Sequence, residues 1–234
     1  MTGNRNLNVM VSVAFRGLFE QFEPEYRKST GLGFAPVYAP AGTVVKRVRA
    51  GEQTDLLVIT PETMKLMIDE GLGVAGSEHN IATSVVGVAV RAGAPKPKIA
   101  TAEDIRAALL AAKSVAYTDP STGAASGVHF MQIAERLGIA DAVKAKAKLG
   151  DGGPVAEFVA RGEAEIAIQQ LCEHMLVKGV DVVGPLPDEL NKTTTFTAGV
   201  TKSAAAPNEA AALIRLLRAP HVRAAMPTHG LQPA

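Results

Sequence analysis

Three segments of the chain share one chemical design. Ala39–Thr43, Ser121–Gly127 and Gly150–Pro154 each follow an apolar run, consist largely of small or hydroxyl-bearing residues, and lead into a helical pattern. Such a junction presents backbone N–H groups at a helix N-terminus, where the helix dipole favours an anion. Small side chains let that anion approach the backbone closely. The candidate ligand contacts in these loops are Ala41, Gly42, Thr43, Ser126, Gly127, Gly153 and Pro154. Arg16 opens a helix just after the first strand-like run, and its guanidinium fork suits a carboxylate. Ser12 ends that first run, Ser84 lies in a long later strand, and Gln170 closes another strand. Gln169 and Gln170 are adjacent in an extended segment, so only one of them faces a ligand. His129, in the first turn after Ser126-Gly127, is the candidate general base. Cys172 and His174 stand two apart on a helical stretch, which points them to different faces and argues against a dyad.

The elements that must position these residues alternate short β-rich runs with helical stretches, the pattern of an α/β fold with mostly parallel sheets. Leu7–Val13, Phe34–Tyr38 and Leu56–Ile59 read as strands. Phe15–Lys28 reads as an amphipathic helix with Leu18, Phe19, Phe22 and Tyr26 on one face. Pro61 and Pro154 stand near first-turn positions of later helices, and Thr101 with Asp104 matches a capping box. Two long strands, Thr83–Arg91 and Thr193–Val200, flank a middle block. They imply a first lobe over residues 1–83, a second lobe over 84–194, and a return to the first over 195–234. A ligand cleft is expected between such halves.

Composition narrows the function classes. The 234 residues carry a formal net charge of +1, without the basic excess of a nucleic-acid binder. Apolar residues make up 47% and charged ones 20%, which argues for a packed core and against disorder. With aromatics at 4% and no Trp, a stacking site for bases or sugars is a poor fit. One cysteine, Cys172, excludes an intrachain disulfide and a multi-cysteine zinc site. HExxH, GxSxG and GxxxxGK[ST] patterns are absent, and neither a metal nor another cofactor is expected. No apolar run is long enough to insert in a membrane. The short N-terminal run Val9–Phe15, broken by Ser12, reads as a strand rather than a secretion signal. The expectation is a cytoplasmic protein if Met1 is the native start, or a periplasmic one whose signal has been removed.

Several segments, taken in order, resemble the type 2 periplasmic solute-binding proteins, in the branch around molybdate-binding proteins. They are the strand–helix Asn8–Phe22, Arg49-Ala50-Gly51 followed by Thr54-Asp55-Leu56-Leu57-Val58, and Asp119-Pro120 ahead of Ser126-Gly127. Gly162–Ile168 and then Gly184-Pro185-Leu186-Pro187 complete the set. The resemblance spans nearly the whole chain. It implies two α/β lobes joined by two crossing strands, a small anionic ligand, and an ABC permease as partner if the protein is secreted. Molybdate binders place hydroxyl residues where this chain has Ala14, Ala41-Gly42-Thr43 and Gln170. With Arg16 close by, a small organic carboxylate is the better expectation. The alternative is an enzyme on the same fold, since relatives of this branch isomerise unsaturated polycarboxylic acids such as aconitate. In that case Arg16 and the helix starts anchor the acid, and His129, or a water held by Ser12 or Thr43, serves as base.

Overall fold

The computed structural model describes residues 6–234. The chain forms two compact units. Unit 1 combines residues up to Thr83 with Thr195–Ala234, and unit 2 is Ser84–Thr194.

The first segment of unit 1 runs β1 (Asn6–Val11), α1 (Arg16–Thr30), β2 (Gly33–Tyr38), α2 (Ala41–Arg49), β3 (Leu56–Ile59), α3 (Pro61–Asp69) and β4 (His79–Ser84). Strand β3 is apolar at all four positions and buried at all four, as an interior strand covered on both faces must be. It lies between β1, which is parallel to it, and a returning antiparallel strand. Strand β2 pairs only with β1 and forms the sheet's edge, where Pro36 is tolerated because its missing N–H breaks no ladder. Gly31 ends α1 with φ 77°, the left-handed cap that glycine adopts without steric cost.

Unit 2 runs β5 (Val86–Arg91), α4 (Ala102–Ala111), β6 (Val115–Thr118), α5 (Ala125–Arg136), α6 (Ala140–Lys144), β7 (Ala147–Gly150), α7 (Ala156–Ala160), β8 (Ile166–Gln170), α8 (Leu171–His174) and β9 (Val180–Pro185). The chain then returns to unit 1 through β10 (Thr194–Val200), α9 (Pro207–Leu217), α10 (Pro220–Ala225) and β11 (Gln232–Pro233). The sheet orders are β11-β4-β10-β3-β1-β2 in unit 1 and β7-β6-β8-β5-β9 in unit 2.

Each sheet is mixed. The βαβ segments supply parallel pairs, β1 with β2 and β3 in unit 1, and β6 with β7 and β8 in unit 2. Strands β10 and β5 enter antiparallel to their neighbours, because they carry the chain between units and follow no crossover helix. The expected single strand Thr83–Arg91 is two strands, broken at Val85. Helix α2 begins at Ala41, so the small residues Ala41–Thr43 form its first turn. Pro154 lies outside α7, whose N-cap is Val155.

Unit 1 is closed by one buried carboxylate. Asp55, 2% exposed, accepts from the Asn8 N–H at 2.8 Å through Oδ2. Its Oδ1 accepts from Ala205 N–H at 2.7 Å and Ala206 N–H at 3.0 Å, just ahead of α9. Three N–H donors and a helix N-terminus compensate the desolvated charge. Asp55→Ala leaves these donors unsatisfied in the interior and is expected to lower the stability of unit 1 by about 2–4 kcal/mol. Urea unfolding of the variant against the parent checks this, and an unchanged midpoint contradicts it.

Candidate anion-binding edges

In unit 1 the three parallel strands β1–β3 end on one edge, the position where open α/β sheets bind ligands. Ser12 follows β1. Its N–H donates to Val58 O at 3.3 Å and its hydroxyl accepts from Ala14 N–H at 3.3 Å, which starts the turn into α1. Arg16 is the first residue of α1 and is half-buried. Among the described residues its guanidinium forms no ion pair. The guanidinium carbon instead lies 4.9 Å from the ring centroid of Tyr38, the last residue of β2. Burial pushes the Tyr38 phenol up to about 12, while Arg16 pulls it down and Glu20 pushes it up.

The N-terminus of α2 belongs to the same edge. Its N-cap is Pro40, which offers no side-chain cap. The first backbone bond runs from Val44 N–H to Pro40 O, so the N–H groups of Ala41, Gly42 and Thr43 precede the helical ladder. The sequence reading therefore places Ser12, Arg16 and Ala41–Thr43 together on one strand edge. It missed Tyr38. The available signal was alternation: Phe34 and Tyr38 share a face of β2, and Phe34 packs on Phe19 and Tyr26 of α1.

In unit 2 the corresponding edge is the C-terminal ends of β6, β7 and β8. Helix α5 starts with N-cap Ala124 and no side-chain cap, and its first bond runs from Val128 N–H to Ala124 O. Ala125, Ser126 and Gly127 N–H precede it. A Cβ on Gly127 would collide with the Thr118 carbonyl oxygen, so glycine is what lets α5 start so close to β6.

The adjacent glutamines separate by strand parity. Ala167 packs with Ala156 and Val159 of α7, whereas Ile166 and Ile168 pack with Phe130 and Met131 of α5. Gln169 accordingly sits on the α7 side. Its Oε1 accepts from Val155 N–H at 2.7 Å, and its Nε2 donates to Thr118 Oγ1 and Gly153 O, both at 3.1 Å. It is a cross-link that ties the Gly150–Pro154 loop to β6. The loop's Val155 N–H is thereby committed, and α7 is only five residues long. Gly153 and Pro154 thus adjoin an internally capped turn, in contrast to the uncapped starts of α2 and α5.

Gln170, 2% exposed, lies on the α5 side. Its Nε2 donates to Thr194 Oγ1 at 2.8 Å, and its Oε1 is buried with no hydrogen-bond partner. Ser84 is buried and hydrogen-bonds the Cys172 thiol, whose pKa burial drives upward. His129 Nε2 lies 2.9 Å from Leu190 O, and burial lowers its pKa. His221 meets Glu25 and His229 meets Gln21, both on α1. Among the described residues no group of histidine, cysteine or carboxylate side chains is arranged to hold a metal ion.

The fold is that of the two-unit α/β binding proteins. The periplasmic molybdate-binding protein of Azotobacter vinelandii superposes with TM-score 0.82 at 20% identity, over 98% of this chain and all of that one. The binding protein AfuA of Actinobacillus pleuropneumoniae, solved with fructose-6-phosphate, gives 0.72 at 14% identity over 97% of this chain and 85% of its own. The profile of the bacterial extracellular solute-binding proteins matches residues 7–232, and the chain belongs to that family. An aconitate isomerase from a Pseudomonas species is 31% identical to it, over 97% of this chain and 87% of that protein.

Next to Gln170, His174 is fully buried, with Nε2 3.1 Å from Gly87 O and Nδ1 without a partner. Burial lowers its pKa from 6.5 to about 4. The folded state therefore resists a proton that the unfolded chain accepts. The stability contributed is complete above the unfolded value of 6.5 and is lost as pH falls towards 4, a drop of ~3 kcal/mol. His174→Gln is expected to remove that slope between pH 6.5 and 4 in chemical denaturation. A parent-like slope in the variant contradicts the assignment.

Proposed function

We propose that the protein binds a small organic anion carrying a carboxylate, in preference to molybdate. The observation that carries this reading is Arg16, a half-buried guanidinium without an ion-pair partner among the described residues, beside the uncapped start of α2. A planar carboxylate matches the guanidinium fork through two parallel N–H···O bonds. Ser12 and Thr43 supply hydroxyls on the same edge. In unit 2 the uncapped α5 start at Ser126-Gly127 offers backbone donors of the same kind, whereas the unpartnered Oε1 of Gln170 is an acceptor and suits a hydroxyl or protonated group of the ligand. If the protein is secreted, an ABC permease is the partner that would receive the ligand. Among the described residues no helix is long and apolar enough to cross a membrane itself.

A second reading, isomerase action on an unsaturated polycarboxylic acid, is favoured by the relatedness to an aconitate isomerase across almost the whole chain. The reaction would take a proton from one carbon, move the double bond, and return a proton at another carbon, with no net oxidation. Both readings need an anchored carboxylate, so one experiment addresses both.

Trans-aconitate, fumarate and citrate are titrated by calorimetry, and trans-aconitate is followed by NMR in deuterated water. Saturable binding is expected, weakened about 30-fold or more in Arg16→Ala as a charge-assisted bidentate contact is lost. Binding of molybdate alone contradicts the carboxylate reading. Deuterium uptake at carbon with formation of a second isomer assigns the enzyme, whereas tight binding without exchange assigns the binding protein.

A further inference from the structure

Arg16 is held from one side only. Its guanidinium carbon stands 4.9 Å above the Tyr38 ring, and neither residue is fully buried. Strand β2 is the sheet's edge, and two aromatics, Phe34 and Tyr38, share its α1-facing side on either side of Pro36. Phe34 packs on Phe19 with centroids 5.1 Å apart and on Tyr26 at 4.7 Å. Tyr38, four residues on, stands at the strand's C-terminal end, where α1 begins. Glu20, one turn along α1, acts electrostatically on the Tyr38 phenol yet makes no ion pair with Arg16. The ring is the one partner that the guanidinium has among the described residues.

We propose that Tyr38 is the positioning residue of this edge: its ring carries the Arg16 guanidinium flat, so that the N–H fork meets a planar carboxylate edge-on. The proposal rests on the carboxylate reading above and adds the group that makes Arg16 selective. A guanidinium on a flexible stem must give up rotamer freedom when a ligand arrives, and one already laid on an aromatic face gives up less. The interaction is with the π face, so the hydroxyl is dispensable and the ring is not. The Tyr38 ring occupies one side of the guanidinium.

The test is calorimetry with trans-aconitate, fumarate and citrate on the parent, Tyr38→Phe, Tyr38→Leu, Arg16→Ala and Arg16→Lys, with thermal midpoints recorded for each. Tyr38→Leu is expected to bind about tenfold more weakly, and Tyr38→Phe to stay within about threefold of the parent. A purely structural role would follow the thermal midpoint and would not be restored by phenylalanine in this way. If Tyr38→Leu does not fold, Arg16→Lys decides, because it keeps the charge and loses the planar group. A loss of tenfold or more supports the proposal, and parent-like binding overturns it. Equal weakening in Tyr38→Phe and Tyr38→Leu also overturns it, since the hydroxyl would then carry the effect. If Arg16→Ala loses binding while Tyr38→Leu does not, the positioning role fails and the carboxylate reading stands. If the parent binds none of the three acids, the carboxylate reading fails and takes the role of Tyr38 with it.

Discussion

Unit 1 depends on the Asp55 carboxylate. Its sheet is assembled from two chain segments separated by the whole of unit 2, and no local preference brings such segments together. Asp55 does so with both carboxylate oxygens, one on Asn8 of β1 and the other on the Ala205-Ala206 backbone ahead of α9. The backbone reinforces it. Asp55 N–H donates to Asn8 O at 2.8 Å, Thr201 N–H donates to Asp55 O at 3.2 Å, and the Thr201 hydroxyl donates to Thr54 O. These bonds set where β1, β3 and β10 lie along one another. The edge that presents Ser12, Arg16 and Tyr38 is the other end of the same strands. A buried charge is a strong constraint because leaving it unpaired costs far more than a neutral group would.

Unit 2 achieves its closure with neutral amides. Asn191 stands in for a missing strand neighbour: its Oδ1 accepts from Val86 N–H at 3.1 Å, and its Nδ2 donates to Val86 O and Leu186 O at 3.0 and 3.1 Å. Gln169 does the same for the two loops at the ends of β6 and β7. An amide supplies donors and an acceptor together, so one side chain satisfies both partners of a broken ladder. These cross-links are themselves uncharged, so they add no fixed charge to the loops they close.

Much of this was legible in the residues because the relevant physics is local. The apolar run Leu56–Ile59 had to be an interior strand, and Ser12, Arg16 and Ala41–Thr43 had to follow strands. The resemblance to the solute-binding family rested on segments such as Thr54-Asp55, and it holds. What stayed hidden depends on pairing. Asp55 bonds residues about 150 positions away, and no spacing rule reaches so far. Tyr38 looked like one more strand residue until β2 was placed at the edge against α1. The composition of the Gly150–Pro154 loop does not show that Gln169 binds its Gly153 carbonyl and the Val155 N–H that follows it. Parity would have separated Gln169 from Gln170 once Ile166 and Ile168 were assigned to the larger core. The break at Val85 leaves almost no trace in an unbroken β-favouring run, because it arises where the chain changes sheets.

A carboxylate anchor serves a binding protein and a proton-shifting enzyme equally, so the difference lies in a base. The described histidines with hydrogen bonds are engaged: His129 with Leu190 O, His174 with Gly87 O, His221 with Glu25 and His229 with Gln21. Burial lowers the pKa of His129, His174 and His229, which keeps them neutral and makes them weaker bases. On the unit 1 edge the Tyr38 phenol lies beside Arg16, and burial raises its pKa to about 12. At neutral pH it is protonated, so it does not serve as the base. An enzyme built on this edge would therefore need a hydroxyl-held water at Ser12 or Thr43 to begin the shift. A binding protein would need only such an anchor, while the relatedness to an aconitate isomerase is what speaks for the second reading.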